Sequence, residues 1–488
     1  MTVPPDEPVT DQGVSLARAH LVGVGGAGMS GIARILADRG FAVSGSDARD
    51  SAALAGLAAL GVRTAVGHSA GNLSLLGDGP TVVVVSTAVR PDNPEVVAAR
   101  AAGIPVVHRA DALAALMAGR RSMCVAGTHG KTSTTSMLTV ALQHAGLDPS
   151  FAIGGELTGS GLGAHHGTGD VFVAEADESD GSFLALRPHG AIVTNIEADH
   201  LDHHGTAEAY TAVFDQFVDR IEPGGFLVIC ADDPGAAALA RRSRLRRLVG
   251  YGRAEAAEVR LVFDPMTPDR TGVVLADGSR VPLRLTVPGE HMLLNAVAAL
   301  AAGVELGVDP GLLASGLAGY TGVRRRFERK GSAGGITVYD DYAHHPTEVA
   351  AQLVAARGVL PVGGRLVVVF QPHLYSRTVT FAAEFGRALS AADLVVVLDV
   401  YGAREDPQPG VSGELVAAAV PTAGAAVVLY HPDRPSAAGF VAGVVRQGDV
   451  VITMGAGDVT AIGPELLLLL GNSDRQPTEG GRERDDES

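Results

Sequence analysis

The sequence predicts an α/β protein of about three domains built on mainly parallel sheets. The chain has 488 residues, and domains average roughly 150. Short β-branched runs recur, each followed by a Gly-rich turn and an Ala/Leu helical pattern, which is the rhythm of parallel α/β units. Two of the turns also carry the glycines of phosphate-binding loops.

The first strand, "HLVGVG" (20–25), runs into "GVGGAGMSGIA" and fits G-x-G-x-x-G through Gly23, Gly25 and Gly28. Asp47 follows about 20 residues on, as a dinucleotide fingerprint requires. The spacing places a diphosphate on a helix N-terminus formed by Gly23, Gly25, Gly26, Ala27, Gly28, Met29 and Ser30. A UDP-sugar carries the same diphosphate as NAD, so this motif alone does not choose between them. A second strand of the same region is "TVVVVST" (81–87).

The next strand, "MCVAG" (123–127), leads into Gly127-Thr128-His129-Gly130-Lys131-Thr132 and then "STTSMLTVAL", which reads as a helix from Ser133. Backbone amides there face an anion, Lys131 adds charge at the β/γ-phosphates of ATP, and Thr132 offers a hydroxyl to Mg2+. The full G-x-x-x-x-G-K-[ST] spacing needs glycine at 125, where this chain has valine. The loop is a shortened variant.

Two strands then end in acids. "VFVAEAD" (171–177) leads to Glu175, Asp177, Glu178 and Asp180; "AIVTNIE" (191–197) leads to Glu197, Asp199, His200, Asp202, His203 and His204. Ligands of open α/β sheets collect beyond strand carboxyl ends, where carboxylates hold the Mg2+ that screens ATP; a solvated loop is the alternative. The histidine spacing matches no zinc signature. After "FLVICADD" (226–233), segment 256–287 alternates around a "DG" turn and reads as an antiparallel insertion.

"GVRRRFER" (322–329) packs Arg324, Arg325 and Arg326 into an interdomain linker, or else into a solvated charge run. "VYDDYAHHPTEV" (338–349) ends a strand in Asp340, Asp341, Tyr342, His344 and His345. "RLVVVFQP" (365–372) ends in His373, Tyr375 and Arg377. Two such polar bursts in one domain point to a site. "DLVVVLDV" (393–400) and "DVVITMGAG" (449–457) complete the strand set.

Composition bounds the function. A formal net charge of −16 argues against a nucleic-acid partner, since phosphate backbones are gripped by clustered Lys and Arg. Lysine occurs only at Lys131 and Lys330. Two cysteines, Cys124 and Cys230, cannot build a disulfide framework. No apolar run reaches the ~18 residues of a membrane span, and the acidic, Pro-rich N-terminus is unlike a signal peptide. The expected compartment is the cytoplasm.

"GTHGKT", "EADESD", "TNIEADH", "PGEHMLLNA", "RRRFE", "DDYAHHPTEV" and "FQPHLYSRT" occur in one order between His20 and Asp458. In that order they resemble the Mur ligases of peptidoglycan synthesis, and the last two resemble the L-alanine-adding branch. The resemblance implies a Rossmann-like UDP-sugar domain at 18–119, a central P-loop ATPase-like domain at 120–330 and a Rossmann-like amino-acid domain at 331–470. A flexible N-terminus (1–17) and a disordered tail (471–488) flank them. It implies the substrates UDP-N-acetylmuramate, ATP and L-alanine, Mg2+ as cofactor, and an acyl-phosphate intermediate.

By the same resemblance, ATP meets Gly127, Thr128, His129, Gly130, Lys131, Thr132, Ser133, Asn295, Arg326 and Asp341, with Asp340 the fallback for Asp341. Thr132, Glu175 and His200 hold metal. The diphosphate turn from Gly23 to Ser30, with Asp47, takes the UDP-sugar. Tyr342, His344, His373 and Arg377 take alanine, and Lys131, Glu175, His200, His344 and Arg377 carry the chemistry. Met292 departs from the amide of the family's "HNVLNA". The alternatives are a peptide-recycling ligase of the same family, an inactive nucleotide-binding regulator, and an NAD(P)-dependent oxidoreductase.

Overall fold

Short strands open the chain, the central ones almost wholly buried and one edge strand half-exposed, and an α-helix follows each of them except that edge strand. They are β1 (Arg18–Val22), β2 (Ala42–Asp47), β3 (Arg63–Val66), β4 (Val82–Val85) and β5 (Val106–His108). All pair in parallel, in the order β3-β2-β1-β4-β5. The order reverses at β1, and the glycine turn leaves its carboxyl end there. The computed structural model describes residues 7–403, 405–421 and 427–473.

A ten-stranded sheet follows: β6 (Arg121–Ala126), β7 (Ser150–Ala152), β8 (Ala164–His165), β9 (Val171–Glu175), β10 (Gly190–Val193), β11 (Phe226–Cys230), β12 (Arg247–Gly252), β13 (Val259–Val262), β14 (Gly272–Val274) and β15 (Arg280–Pro282). Its order is β15-β14-β13-β12-β11-β10-β6-β9-β7-β8. β6 therefore lies between β9 and β10, parallel to both, with Val125 opposite Glu175 and Ala126 opposite Val193. That neighbourhood brings two acidic strand ends to the two flanks of the loop after β6.

The chain divides between Arg324 and Arg325 into two compact units. The second unit holds β16 (Glu328–Ala333), β17 (Ile336–Asp341), β18 (Leu366–Phe370), β19 (Leu394–Val397), β20 (Val427–Tyr430) and β21 (Val450–Met454). Their order is β16-β17-β21-β18-β19-β20, parallel except for β16.

Several expectations need correction. Segment 256–287 is antiparallel around its Asp277-Gly278 turn, as expected, but it continues the central sheet instead of standing as an insertion, because β13 pairs in parallel with β12. Residues 330 and 331, where the amino-acid domain is expected to begin, lie inside β16 of a hairpin, in which Gly334 and Gly335 take φ of 56° and 70° to turn β16 into β17. Residues 7–17 are not loose: Val9 bridges Ser15, and Leu16 is fully buried. The helix Ile462–Ser473 runs into the segment expected to be disordered, and 474–488, like 1–6, lie outside the described residues. No described helix is long and apolar enough to cross a membrane.

Candidate functional site

The loop after β6 is shaped by contacts from the end of β10. Gly127 has φ of 129°, and a Cβ there would lie 2.1 Å from the Thr194 hydroxyl. No side chain fits. Thr194 Oγ1 donates to the His129 carbonyl at 2.6 Å. Asn195 brackets the same residue, its Oδ1 accepting from His129 N at 2.8 Å and its Nδ2 donating to His129 O at 3.0 Å. Thr128 N donates to Asn195 O, and the buried Thr128 hydroxyl donates to Glu197 O and lies 2.9 Å from the Tyr210 hydroxyl. The amides of Thr128 and His129 are thus committed to Asn195, and both residues act as supports of the loop.

Gly130, at φ 81°, precedes the helix Lys131–His144. The first amides of that helix have no acceptor within it, so an anion is served from Lys131 onward. Asn295, 8% exposed on the helix Glu290–Glu305, presses its amide on this turn: a Cβ at Gly130 would meet Asn295 Oδ1 at 2.8 Å. Met292 is buried one turn earlier, its sulfur 3.9 Å from Asn295 Nδ2. It serves as a weak acceptor where the family's amide would donate. Ser133 is buried at 6% exposure, in the first turn of its helix.

Lys131 Nζ donates to Gly127 O at 2.7 Å, to Thr128 O at 3.1 Å and to Glu178 Oε1 at 2.9 Å. Burial opposes its charge, but Glu178, Asp177 and Glu175 outweigh burial and raise its pKa. Glu178 is fully buried, and burial pushes its carboxyl up to about 7 against the pull of Lys131. Glu175 ends β9 with one oxygen accepting from Thr132 Oγ1 at 3.2 Å and the other from Gly154 N at 2.9 Å. A hydroxyl and a carboxylate oxygen converge there, the hard-oxygen donor set a Mg2+ ion takes. His200 sits after β10 with φ 52°, its Nε2 3.6 Å from Asp199 Oδ2.

At the N-terminal turn, Asp47 Oδ2 accepts from Gly25 N at 2.9 Å. The helix Ala27–Asp38 starts with no side-chain cap and no acid in its first turn. Gly26, Ala27 and Gly28 are exposed, whereas Met29 is buried at 3% and belongs to the core. Any ligand contact by Met29 is through its backbone. Ser30 Oγ turns back to Ala27 O.

The second unit gathers its own polar set at the carboxyl ends of β17 and β18. The Tyr342 ring carries the guanidinium groups of Arg325 and Arg326 at 4.7 and 5.1 Å. It stands 5.3 Å from the His344 ring, which is 5.8 Å from that of His373. Arg377, 6% exposed, reaches His373 Nδ1 at 3.5 Å. The four residues expected to take the amino acid therefore form one chain of contacts. Asp341 is buried; burial raises its carboxyl to about 6, against Arg326 and the amides of Phe327 and Ala343, which it accepts at 2.7 Å each. Asp340 is fully buried and bonded to Thr453 and Thr460, which removes it as a fallback ligand contact. His345 is a helix cap, accepting from Thr347 N.

Sequence reasoning passed over Thr194, Asn195 and Tyr210 as site residues. The only signal was "TN" at a strand end beside the phosphate-loop strand. It also passed over Glu95, which is fully buried and bound by Ser46, Ser69, Asn72 and His20.

A phosphate-type loop between two acidic strand ends, a glycine turn on a separate parallel sheet, and a third sheet with a basic-aromatic cluster define a multidomain nucleotide-using ligase. The chain belongs to the Mur ligase family. Residues 18–121 match the Mur ligase family catalytic domain, 125–303 the Mur ligase middle domain, and 325–457 the Mur ligase glutamate ligase domain. It is 62% identical over 470 residues, 95% of each chain, to the UDP-N-acetylmuramate–L-alanine ligase of Saccharopolyspora erythraea. Among solved structures it is similar to the UDP-N-acetylmuramate-alanine ligase MurC of Thermotoga maritima, with a TM-score of 0.77 and 30% identity, covering 93% of this chain and 99% of that one. A murein peptide ligase from Psychrobacter arcticus shares the fold, with a TM-score of 0.71 and 24% identity over 93% of this chain and 98% of that one.

Proposed function

We propose that this chain is an ATP-dependent amide ligase that joins L-alanine to the lactyl carboxylate of UDP-N-acetylmuramate, releasing ADP and phosphate. The observation that carries this reading is the 62% identity to an L-alanine ligase over 95% of both chains. The product feeds peptidoglycan assembly, and hence wall growth and division, from the cytoplasm, where both nucleotide substrates reside.

A carboxylate resists attack by an amine because oxide is a poor leaving group. Transfer of the γ-phosphoryl group of ATP to it gives an acyl phosphate, and the alanine amine then displaces phosphate. The barrier is largely electrostatic, because two anions must first meet. Lys131 supplies a fixed positive charge at the phosphate loop, held rigid by Gly127, Thr128 and Glu178. The helix behind it adds its positive end. Thr132 and Glu175 are the residues that would hold Mg2+, which when bound screens the triphosphate; their converging oxygens fit such an ion. His200 is assigned to a second ion. Asn295 and Arg326 are assigned to the nucleotide. Asp341 is assigned to its ribose, and Arg377 to the alanine carboxylate, with Tyr342, His344 and His373 around it.

The test is phosphate release in a coupled assay. It should require UDP-N-acetylmuramate, ATP, Mg2+ and L-alanine together. If glycine or an L-Ala-D-Glu-diaminopimelate peptide proves the far better nucleophile, the reading is wrong.

A further inference from the structure

Arg109 stands where the two sheets of the first unit meet. It opens the helix Arg109–Met117 at the carboxyl end of β5, the same end of that sheet as the glycine turn. That helix packs on Ala27–Asp38. Arg109 Nη2 donates to Asp177 Oδ2 at 2.6 Å. Its other terminal nitrogen lies 3.3 Å from where a Cβ on Gly28 would sit. One guanidinium therefore bonds the acidic strand end of β9 and faces the first turn of the helix Ala27–Asp38.

The Gly28 side presents the start of a helix with no acid of its own. The first amides of Ala27–Asp38 carry the positive end of the helix dipole, and the helix has neither a side-chain cap nor an acid in its first turn. The Arg109 guanidinium, its charge balanced on one side by Asp177, faces that end with its other terminal nitrogen. The nearby Asp47 is occupied by the amides of Gly25 and Arg49. A diphosphate suits this end, since it accepts from amides and guanidinium together. Asp177 holds the guanidinium in place, so little rotamer freedom remains to be lost on binding.

We propose that Arg109 is a positioning residue for the sugar-nucleotide diphosphate, anchored by Asp177 and presenting its free face at Gly28. The proposal rests on the functional reading above for the identity of the sugar nucleotide. Because the recognised group is the diphosphate, UDP alone serves as the probe. The Kd for UDP and for UDP-N-acetylmuramate is measured by calorimetry on the full chain, and the KM for ATP and L-alanine in the phosphate assay. Arg109→Met is expected to raise both Kd values by about tenfold, the scale of a lost charge-assisted hydrogen bond, with the KM for ATP and alanine within about twofold of the parent. Arg109→Lys, which keeps the charge without the fork, should recover part of the loss and covers the case in which Arg109→Met does not fold. Unchanged UDP affinity in the folded variants overturns the proposal. So does an ATP KM that rises as much as the UDP Kd, because the guanidinium then acts only through Asp177. A parent enzyme that binds UDP but not UDP-N-acetylmuramate sinks the functional reading while leaving the role of Arg109 standing.

Discussion

Lys131 and Glu178 form a buried pair, Nζ to Oε1 at 2.9 Å, with the carboxylate wholly enclosed and its second oxygen without a hydrogen-bond partner among the described residues. The carbonyls of Gly127 and Thr128 hold the ammonium from the other side. The lysine is clamped into its own loop. Its three donors are all engaged, so an arriving triphosphate meets the fixed charge at once and gains a hydrogen bond from it by displacing one of these acceptors.

Lys131→Ala should therefore abolish turnover in the phosphate assay while leaving the Kd for UDP-N-acetylmuramate within about threefold, since the glycine turn of the first sheet is untouched. Retained turnover would remove Lys131 from the chemistry.

Gly127→Ala and Gly130→Ala should differ in severity. Both glycines have positive φ, but the added Cβ at 127 meets the Thr194 hydroxyl at 2.1 Å and backbone nitrogen at 3.0 Å, whereas at 130 it meets a side-chain amide at 2.8 Å. Backbone cannot yield as an amide can. The KM for ATP is expected to rise well over tenfold in Gly127→Ala and less in Gly130→Ala, an order of effect set by strain of ~1–3 kcal/mol per misplaced residue. The reverse order would refute the packing argument.

Glu95 makes stability depend on pH. Burial alone would raise its carboxyl, but His20, Ser46, Asn72 and Ser69 together lower it to about 2. A depressed carboxylate stabilises the fold fully above its ordinary value of 4.5 and loses that contribution as pH falls toward 2. The shift corresponds to about 3 kcal/mol. Glu95→Gln should lower Tm at pH 7, and the gap to the parent should shrink steadily as the melts are repeated from pH 5 downward. A gap that stays constant across that range would mean the charge is not the source.

Arg377→Ala should chiefly raise the KM for L-alanine, with ATP affinity little changed, because Arg377 belongs to the cluster with His373, His344 and Tyr342. A kinetic scan over alanine concentration decides it. An unchanged KM assigns the buried guanidinium to structure alone.

Much of this was legible in the chain. Alternating β-branched runs and Gly turns mark nearly every buried strand, because burial on two faces demands continuous apolar residues and the turn demands a residue without Cβ. The GKT loop, Glu175 and the "DDYAHH" and "HLYSR" bursts declare themselves by residue type. Asn195 does not: an asparagine after a strand looks like any turn residue until β10 is known to lie beside β6. His345 belongs by sequence to the polar burst and in the fold is a helix cap. The Gly334-Gly335 pair is a hairpin turn, which its two glycines allow but which no alternation in the flanking residues marks.

By itself, the sequence determined the repeating α/β units, the places where phosphate could be held and the supply of acids and bases at strand ends, since period, turn and charge are written in neighbouring residues. Only the tertiary structure decided that Glu178 is the acid paired with Lys131, that Asn195 supports the phosphate loop and that Arg109 spans Gly28 and Asp177. Those partnerships depend on strand order within a sheet and on how two sheets meet, and long-range pairing of that kind leaves no trace in local spacing.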